Sequence, residues 1–323
     1  MTTLFVATTG GHLTQLAGLA SRVEAGRAVW VTHANEQSRS LLADRDVEYV
    51  PYVGVRNLVD VLRCVPTAHR LWRRRGITRV ISTGSGIALG YLPYLAARGV
   101  ECHYVESAAR VRGPSLTGRV LRWVPGVHVY TQYPAWAGGR WRYGGSEFDA
   151  YEPVAARRAP GATVRVVVTV GTATEFPFRR LVEPLAALLA PDGPLAGALD
   201  RPVEVLWQTG ATPVADLGIP AMPFVPAAEL TAALEGADLV VCHAGSGSAT
   251  SALDAGRRPL VVARRRSAGE AGDDHQAELA AELGRRGLAL VWDPARLTVD
   301  DLLAALGTAV RRVADPPQFE LTG

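Results

Sequence analysis

The sequence contains no lysine; all 34 of its basic residues are arginine. A lysine Schiff base and a P-loop lysine are therefore excluded. Charge of one sign is also lacking, since 31 acidic residues bring the formal net charge to only +3. A duplex-binding domain carries a far more concentrated cationic surplus, so no nucleic-acid partner is expected. Cysteine is scarce. Cys64, Cys102 and Cys242 lie far apart, without the paired spacings of a zinc site or a redox motif, and read as core thiols in a reducing cytoplasm. No run of about 18 apolar residues offers a membrane span, and the opening residues lack the pattern of a secretory leader. A soluble or peripheral protein is expected.

What is present is ample apolar material. The chain has 323 residues and 48% hydrophobic content, enough for two cores of ordinary size. In the first half, short Val- and Tyr-rich runs at 3–8, 27–33, 47–53, 79–83, 100–106 and 127–132 alternate with segments of helical period. That is the pattern of a parallel sheet flanked by helices. From about 134 to 163 the periodicity stops in a stretch rich in Gly, Pro, Arg and aromatics, which reads as an interdomain connection. A second alternating series follows, with strands expected at 164–171, 203–210, 222–225, 239–243, 259–263 and 288–292. The expectation is an α/β protein of two doubly wound domains, residues 1–150 and 162–315, facing a central cleft. Ligands in such sheets bind outside the carboxyl ends of the strands.

The unusual residues fall on the loops at those ends. They read "TTGGH" (8–12), "TGSG" (83–86), "VGTAT" (170–174) and "HAGSGS" (243–248). Glycine in a strand-to-helix turn allows positive φ and close approach of a ligand, and the free amides of the next helix attract an anion. Any one such turn also has a purely steric reading. Four together suggest a phosphorylated substrate.

The stretch "HAGSGSATSALDAGRRPLVVARRRSAGEAGDDHQAELAAEL" (243–283) resembles the sugar-nucleotide region of GT-B glycosyltransferases of the MurG-like group. It is most similar to the donor subunit of the two-part Alg13/Alg14 N-acetylglucosaminyltransferase, as is "VTVGTAT" (168–174). "TTGGHLTQL" (8–16), "STGSGIALGYLP" (82–93), "YVESAARVRGPSLTGRVL" (104–121) and "YTQYP" (130–134) resemble the acceptor subunit, in the same order. The resemblance implies a GT-B enzyme with its acceptor domain first and its donor domain second. It implies an inverting transfer of a hexose or N-acetylhexosamine from a UDP-sugar to an acceptor hydroxyl, without a catalytic metal and with no cofactor beyond the UDP-sugar as co-substrate.

On the donor side the resemblance implies that Gly245, Ser246, Gly247 and Ser248 wrap a nucleotide diphosphate, with His243, Gly171, Thr172 and Gln208 around it. Helix capping is the alternative use of the serines. His275 and Gln276 face the sugar hydroxyls on the same ground, Gln276 because an amide both donates and accepts, unless "DDHQ" only caps a helix. The acidic ribose contact of the family falls on Ser251 here, and Asp254 is a possible substitute.

On the acceptor side the resemblance implies that Gly10, Gly11, Gly84, Ser85, Gly86 and Arg110 line the site. The first candidate for the base is His12, since histidine titrates near neutral pH, with Glu106 as its rival. Glu106 alternatively orients His12 or pairs with Arg110. The acceptor implied is lipid-linked or a glycan precursor, with a soluble metabolite as the alternative, and a sugar-nucleotide epimerase or hydrolase as the rival activity. Residues 56–76, with Leu58, Val61, Leu62, Val65, Leu71 and Trp72 set among Arg63, Arg70, Arg73, Arg74 and Arg75, read as a basic amphipathic helix able to rest on an anionic membrane. The same pattern suits an ordinary surface helix. The place implied is the cytoplasm, at the inner face of the cell membrane.

Overall fold

The computed structural model describes residues 1–24, 26–54, 57–155, 159–171 and 176–321. The chain divides into two compact units, Met1–Ala150 with Asp315–Gly323, and Tyr151–Ala314.

The first unit is built on seven strands: β1 (Thr2–Ala7), β2 (Arg27–His33), β3 (Val47–Val50), β4 (Arg79–Gly84), β5 (Glu101–Val105), β6 (Val127–Thr131) and β7 (Trp141–Tyr143). They pair in parallel in the order β3-β2-β1-β4-β5-β6-β7. Helices cover both faces, which is why β1 is apolar almost throughout rather than alternating. Leu4 and Val6 pack into one core with Ile87, Tyr91 and Leu92. Phe5 and Ala7 pack into the other with Leu13, Leu16 and Trp30.

The helices of this unit are α1 (Gly11–Ala20), α2 (Glu36–Leu41), α3 (Leu58–Arg63), α4 (Val65–Arg75), α5 (Gly86–Ala96) and α6 (Leu116–Leu121). Residues 58–75 thus form two helices rather than one. Pro66 stands in the first turn of α4, where its missing N–H costs nothing and a new helix starts readily. Val61 and Leu71 are buried, whereas Leu58 and Leu62 are 70% and 61% exposed. Three of the arginines are held by acids, Arg63 by Asp60 at 3.0 Å, Arg70 by Glu48 at 2.5 Å and Arg75 by Asp46 at 3.0 Å. Arg56 lies outside the described residues.

The stretch read as a patternless connection contributes β7 to the sheet. Three residues are too few to display a period of two. Trp141 nevertheless anchors the strand, its ring centroid 5.0 Å from that of Trp136 and 6.3 Å from that of Tyr104. The C-terminal tail also belongs to this unit. Phe319 is buried beside Leu19 and Tyr130, and Arg22 donates to the Pro317 and Ser146 carbonyls.

The second unit opens with β8 (Tyr151–Val154), paired antiparallel with β15 (Ala309–Arg312). Its main sheet holds β9 (Val164–Thr169), β10 (Val203–Gln208), β11 (Ala221–Met222), β12 (Leu239–His243), β13 (Leu260–Val262) and β14 (Leu290–Trp292). All are parallel, in the order β11-β10-β9-β12-β13-β14. The strand expected at 222–225 is only the two residues of β11. Around this sheet lie α7 (Arg179–Leu188), α8 (Pro194–Leu199), α9 (Ala227–Gly236), α10 (Ser246–Asp254), α11 (His275–Arg285) and α12 (Val299–Ala305).

Each sheet reverses its strand order once, between β1 and β4 in the first unit and between β9 and β12 in the second. Such a switch point opens a crevice at the strands' carboxyl ends. The glycine turns after β1, β4 and β12, and Val170 and Gly171 after β9, stand at these switch points. Among the described residues, no helix is long and apolar enough to cross a membrane.

Candidate active site

In the first unit the β1–α1 and β4–α5 turns lie side by side. Gly10 takes φ 87° as the N-cap of α1, a conformation that disfavours any side chain. Its N–H donates to Gln37 Oε1 at 2.6 Å. The next amides, of Gly11, His12 and Leu13, have no acceptor among the described residues. In the neighbouring turn Gly84 has φ 114° and Ser85, despite its side chain, φ 70°. A β-bulge where Ala7 meets Gly84 re-aims the strand here. A non-glycine residue held at positive φ stores strain of a kind that clusters at functional sites. Gly86 starts α5, and a Cβ there would lie 3.2 Å from Val53.

His12 sits between the two turns. Its Nδ1 donates to the Thr83 carbonyl at 2.8 Å. A carbonyl can only accept, so the proton is on Nδ1 and Nε2 carries the lone pair. Burial holds the imidazole below its ordinary pKa, the bond to Thr83 opposes this, and the Arg110 guanidinium adds to the depression. His12 is thus neutral at pH 7, with a basic nitrogen that bonds to none of the described residues. A Cβ placed on Gly84 would be 3.4 Å from the His12 ring and 3.0 Å from the Tyr104 hydroxyl. The glycine lets these groups converge.

Glu106 is 1% exposed. One oxygen accepts from the Tyr104 hydroxyl at 3.1 Å and the Ser107 amide at 3.3 Å. The other accepts from the Ser115 amide at 2.9 Å and its hydroxyl at 3.1 Å. Burial raises its pKa and these bonds pull it back. A carboxylate so engaged organises the 104–118 segment, and Gly118 leaves room for it, since a Cβ there would meet Glu106 Oε2 at 2.3 Å. Tyr104, Thr83 and Ser115 were not singled out from the sequence. The signal for Tyr104 was present, because it stands two residues before Glu106 and so on the same face of the strand.

In the second unit the β9 and β12 turns meet around His243. Its ring packs against two glycines: a Cβ on Gly171 would lie 2.7 Å from Cε1, and one on Gly245 would lie 2.2 Å from Nε2. Burial, opposed by the Thr169 carbonyl and reinforced by Arg264, holds its pKa down to about 3. Thr172 lies outside the described residues.

Helix α10 begins at Ser246 with Gly245 as N-cap and no capping side chain. The serines are not spent on the helix end. The amides of Ser246, Gly247 and Ser248 have no acceptor among the described residues, so the end of this helix presents three donors and a partial positive charge. Ser251 lies one and a half turns along. Asp254 does not stand in for an acid at that position. Its carboxylate accepts from the Tyr151 hydroxyl at 2.5 Å and Arg312 at 3.4 Å, about 12 Å along the helix from its start.

Gln276 Oε1 accepts from the Arg264 amide at 3.1 Å, and its Nε2 bonds to none of the described residues. His275 pairs with Asp273. Asp274 accepts from the Arg266 amide at 3.0 Å and caps nothing with its side chain. Gln208 is buried within the sheet end, donating to Thr169 Oγ1 at 2.8 Å and accepting from the Val225 amide at 3.0 Å. Both ends of its side chain are engaged, so it acts as a clamp between strands. Among the described residues no group of three or more His, Cys, Asp or Glu could hold a metal ion.

Residues 165–316 match the glycosyltransferase family 28 C-terminal domain. The whole chain is similar to a UDP-N-acetylglucosamine–N-acetylmuramyl-(pentapeptide) pyrophosphoryl-undecaprenol N-acetylglucosamine transferase of Cupriavidus metallidurans, at 28% identity over 92% of this chain and 86% of that one. The transferase of the same description from Burkholderia orbicola is 26% identical over 95% and 90%.

The chain is a glycosyltransferase with a family 28 C-terminal domain.

Solved structures agree on the fold. Acinetobacter baumannii MurG aligns with a TM-score of 0.56 at 18% identity, covering 94% of this enzyme and 88% of MurG. The glycosyltransferase SnogD of Streptomyces nogalater aligns with 0.58 at 17% identity, over 95% and 90%. Both units of this enzyme are therefore matched within single-chain relatives.

Proposed function

We propose that the enzyme transfers an N-acetylhexosamine, with inversion, from a UDP-sugar to a hydroxyl of a lipid-linked acceptor in cell-envelope synthesis. The observation that carries the chemistry is the His12–Thr83 bond. It fixes the tautomer in which Nε2 can accept the acceptor's proton as its oxygen attacks the anomeric carbon. The sugar's bond to UDP breaks in the same step, and the departing diphosphate gains negative charge. The unpaired amides of Ser246, Gly247 and Ser248 are donors suited to that charge. Gln276 Nε2 is the donor assigned to the sugar, and Ser251 the hydroxyl nearest in sequence for the ribose. Glu106 acts by holding the segment beside His12 rather than by taking a proton.

A lipid-linked acceptor suits the surface of the first unit. Leu58 and Leu62 on α3, and Leu116, Val120 and Trp123 on and after α6, are exposed, with Arg63, Arg119 and Arg122 among them. Both helices pack on α5. Such a surface suits peripheral attachment at the cytoplasmic face of the membrane. The names of the transferases in Cupriavidus and Burkholderia support UDP-N-acetylglucosamine as donor and a pyrophosphoryl-undecaprenol acceptor. The test is transfer of labelled N-acetylglucosamine from UDP into a butanol-extractable product with an isoprenyl diphosphate-linked sugar as acceptor. Label released as free sugar at the same rate without acceptor would instead support a hydrolase.

A further inference from the structure

Three arginines and two carboxylates meet behind the β13 end of the second unit. Arg180 donates to both oxygens of Glu270, at 2.9 and 2.7 Å, and reaches one oxygen of Asp293 at 3.4 Å. Arg265 takes the other oxygen of Asp293 at 2.8 Å. Both acids are then satisfied by two arginines, and Arg264 is the surplus cation of the cluster. It is also the buried one, 3% exposed.

Arg264 contacts no carboxylate among the described residues. Its Nη2 donates to the Val170 carbonyl at 2.6 Å and its Nη1 to the Phe176 carbonyl. The guanidinium carbon lies 5.1 Å from the Phe178 ring centroid, and the main-chain N–H holds Gln276. One residue thus joins the Val170 and Phe176 carbonyls to the start of α11. Its field reaches the β12–α10 turn as well, where it opposes protonation of His243. A guanidinium removed from water without a contacting anion is costly, and carbonyl dipoles offset only part of that cost. An anionic ligand would offset more.

We propose that Arg264 is a positioning residue of the donor half-site, holding the Val170 and Phe176 carbonyls and supplying, from a buried position without a contacting carboxylate among the described residues, positive charge that favours a nucleoside diphosphate at the start of α10. The proposal rests on the UDP-sugar reading above. Binding of UDP and of uncharged uridine to the full chain separates charge from shape, in wild type, Arg264→Gln and Arg264→Lys. The glutamine variant should lose about 10- to 100-fold in UDP affinity, the size of one charge-assisted interaction, with uridine unchanged. The lysine variant should keep most of the UDP affinity but lose kcat, since a single ammonium cannot hold the Val170 and Phe176 carbonyls together as a fork does. Equal losses for UDP and uridine in Arg264→Gln, or equal UDP losses in both variants, would overturn the electrostatic role. If wild type prefers another nucleoside diphosphate, the donor reading fails, and that nucleotide and its nucleoside then decide the role of Arg264 by the same comparison.

Discussion

His12 and Thr83 bond to each other twice: the imidazole Nδ1 donates to the Thr83 carbonyl at 2.8 Å, and the Thr83 hydroxyl donates to the His12 carbonyl at 2.7 Å. The hydroxyl bond locks the two turns together, and the imidazole bond sets the tautomer. Thr83→Val removes the first and leaves the second. We expect a moderate fall in kcat, about 3- to 30-fold, from looser placement of the ring, with UDP affinity unchanged by titration.

Glu106 accepts four hydrogen bonds from a buried position. Glu106→Gln replaces one acceptor oxygen by an NH2 that must face donors, leaving buried groups unsatisfied at about 1–3 kcal/mol. A lowered urea midpoint is expected, with residual kcat well above that of a His12 variant. A fully stable Glu106→Gln enzyme with no activity would instead make Glu106 the base.

The His243 ring fills the space that side chains on Gly171 and Gly245 would occupy. Gly245→Ala should therefore displace the ring and weaken UDP binding, whereas in the His243→Ala background the same change should cost much less. Thermal shifts with UDP across the four proteins measure the coupling. Additive losses would place the two residues in separate roles.

The same histidine makes stability pH-dependent. Its folded pKa, about 3, lies below the ordinary 6.5, so between those values the unfolded chain binds the extra proton. This contribution to stability is full above pH 6.5 and is lost as pH falls toward 3. His243→Asn should flatten the decline of Tm over that window relative to wild type. An unchanged slope would assign the acid lability to other groups.

Much of this was legible in the chain. Glycine turns announce themselves because positive φ and close packing need that residue type, and apolar runs such as "TLFVAT" reveal strands buried on both faces. What escaped was carried by geometry without a pattern. β7 is too short to alternate, and the return of Phe319 to the first unit's core leaves no local signature. The capping reading of Ser246 and Ser248 was open in sequence, and Gly245 as N-cap decides it. Asp254 had the right residue type but the wrong end of the helix. Arg264 was one arginine in the run "RRR", and only its burial distinguishes it from Arg265 and Arg266.

The central claim is that His12 Nε2 removes the acceptor proton. The direct measurement is the pH dependence of single-turnover sugar transfer, in wild type and His12→Ala at saturating UDP-sugar. Since the His12 pKa is depressed, the wild-type rate should climb through an acidic limb centred below pH 6.5 and level off above it. The variant should be about 100- to 10,000-fold slower and lack that limb, with UDP affinity intact. An acidic limb that persists in His12→Ala at a near-normal rate would contradict the account.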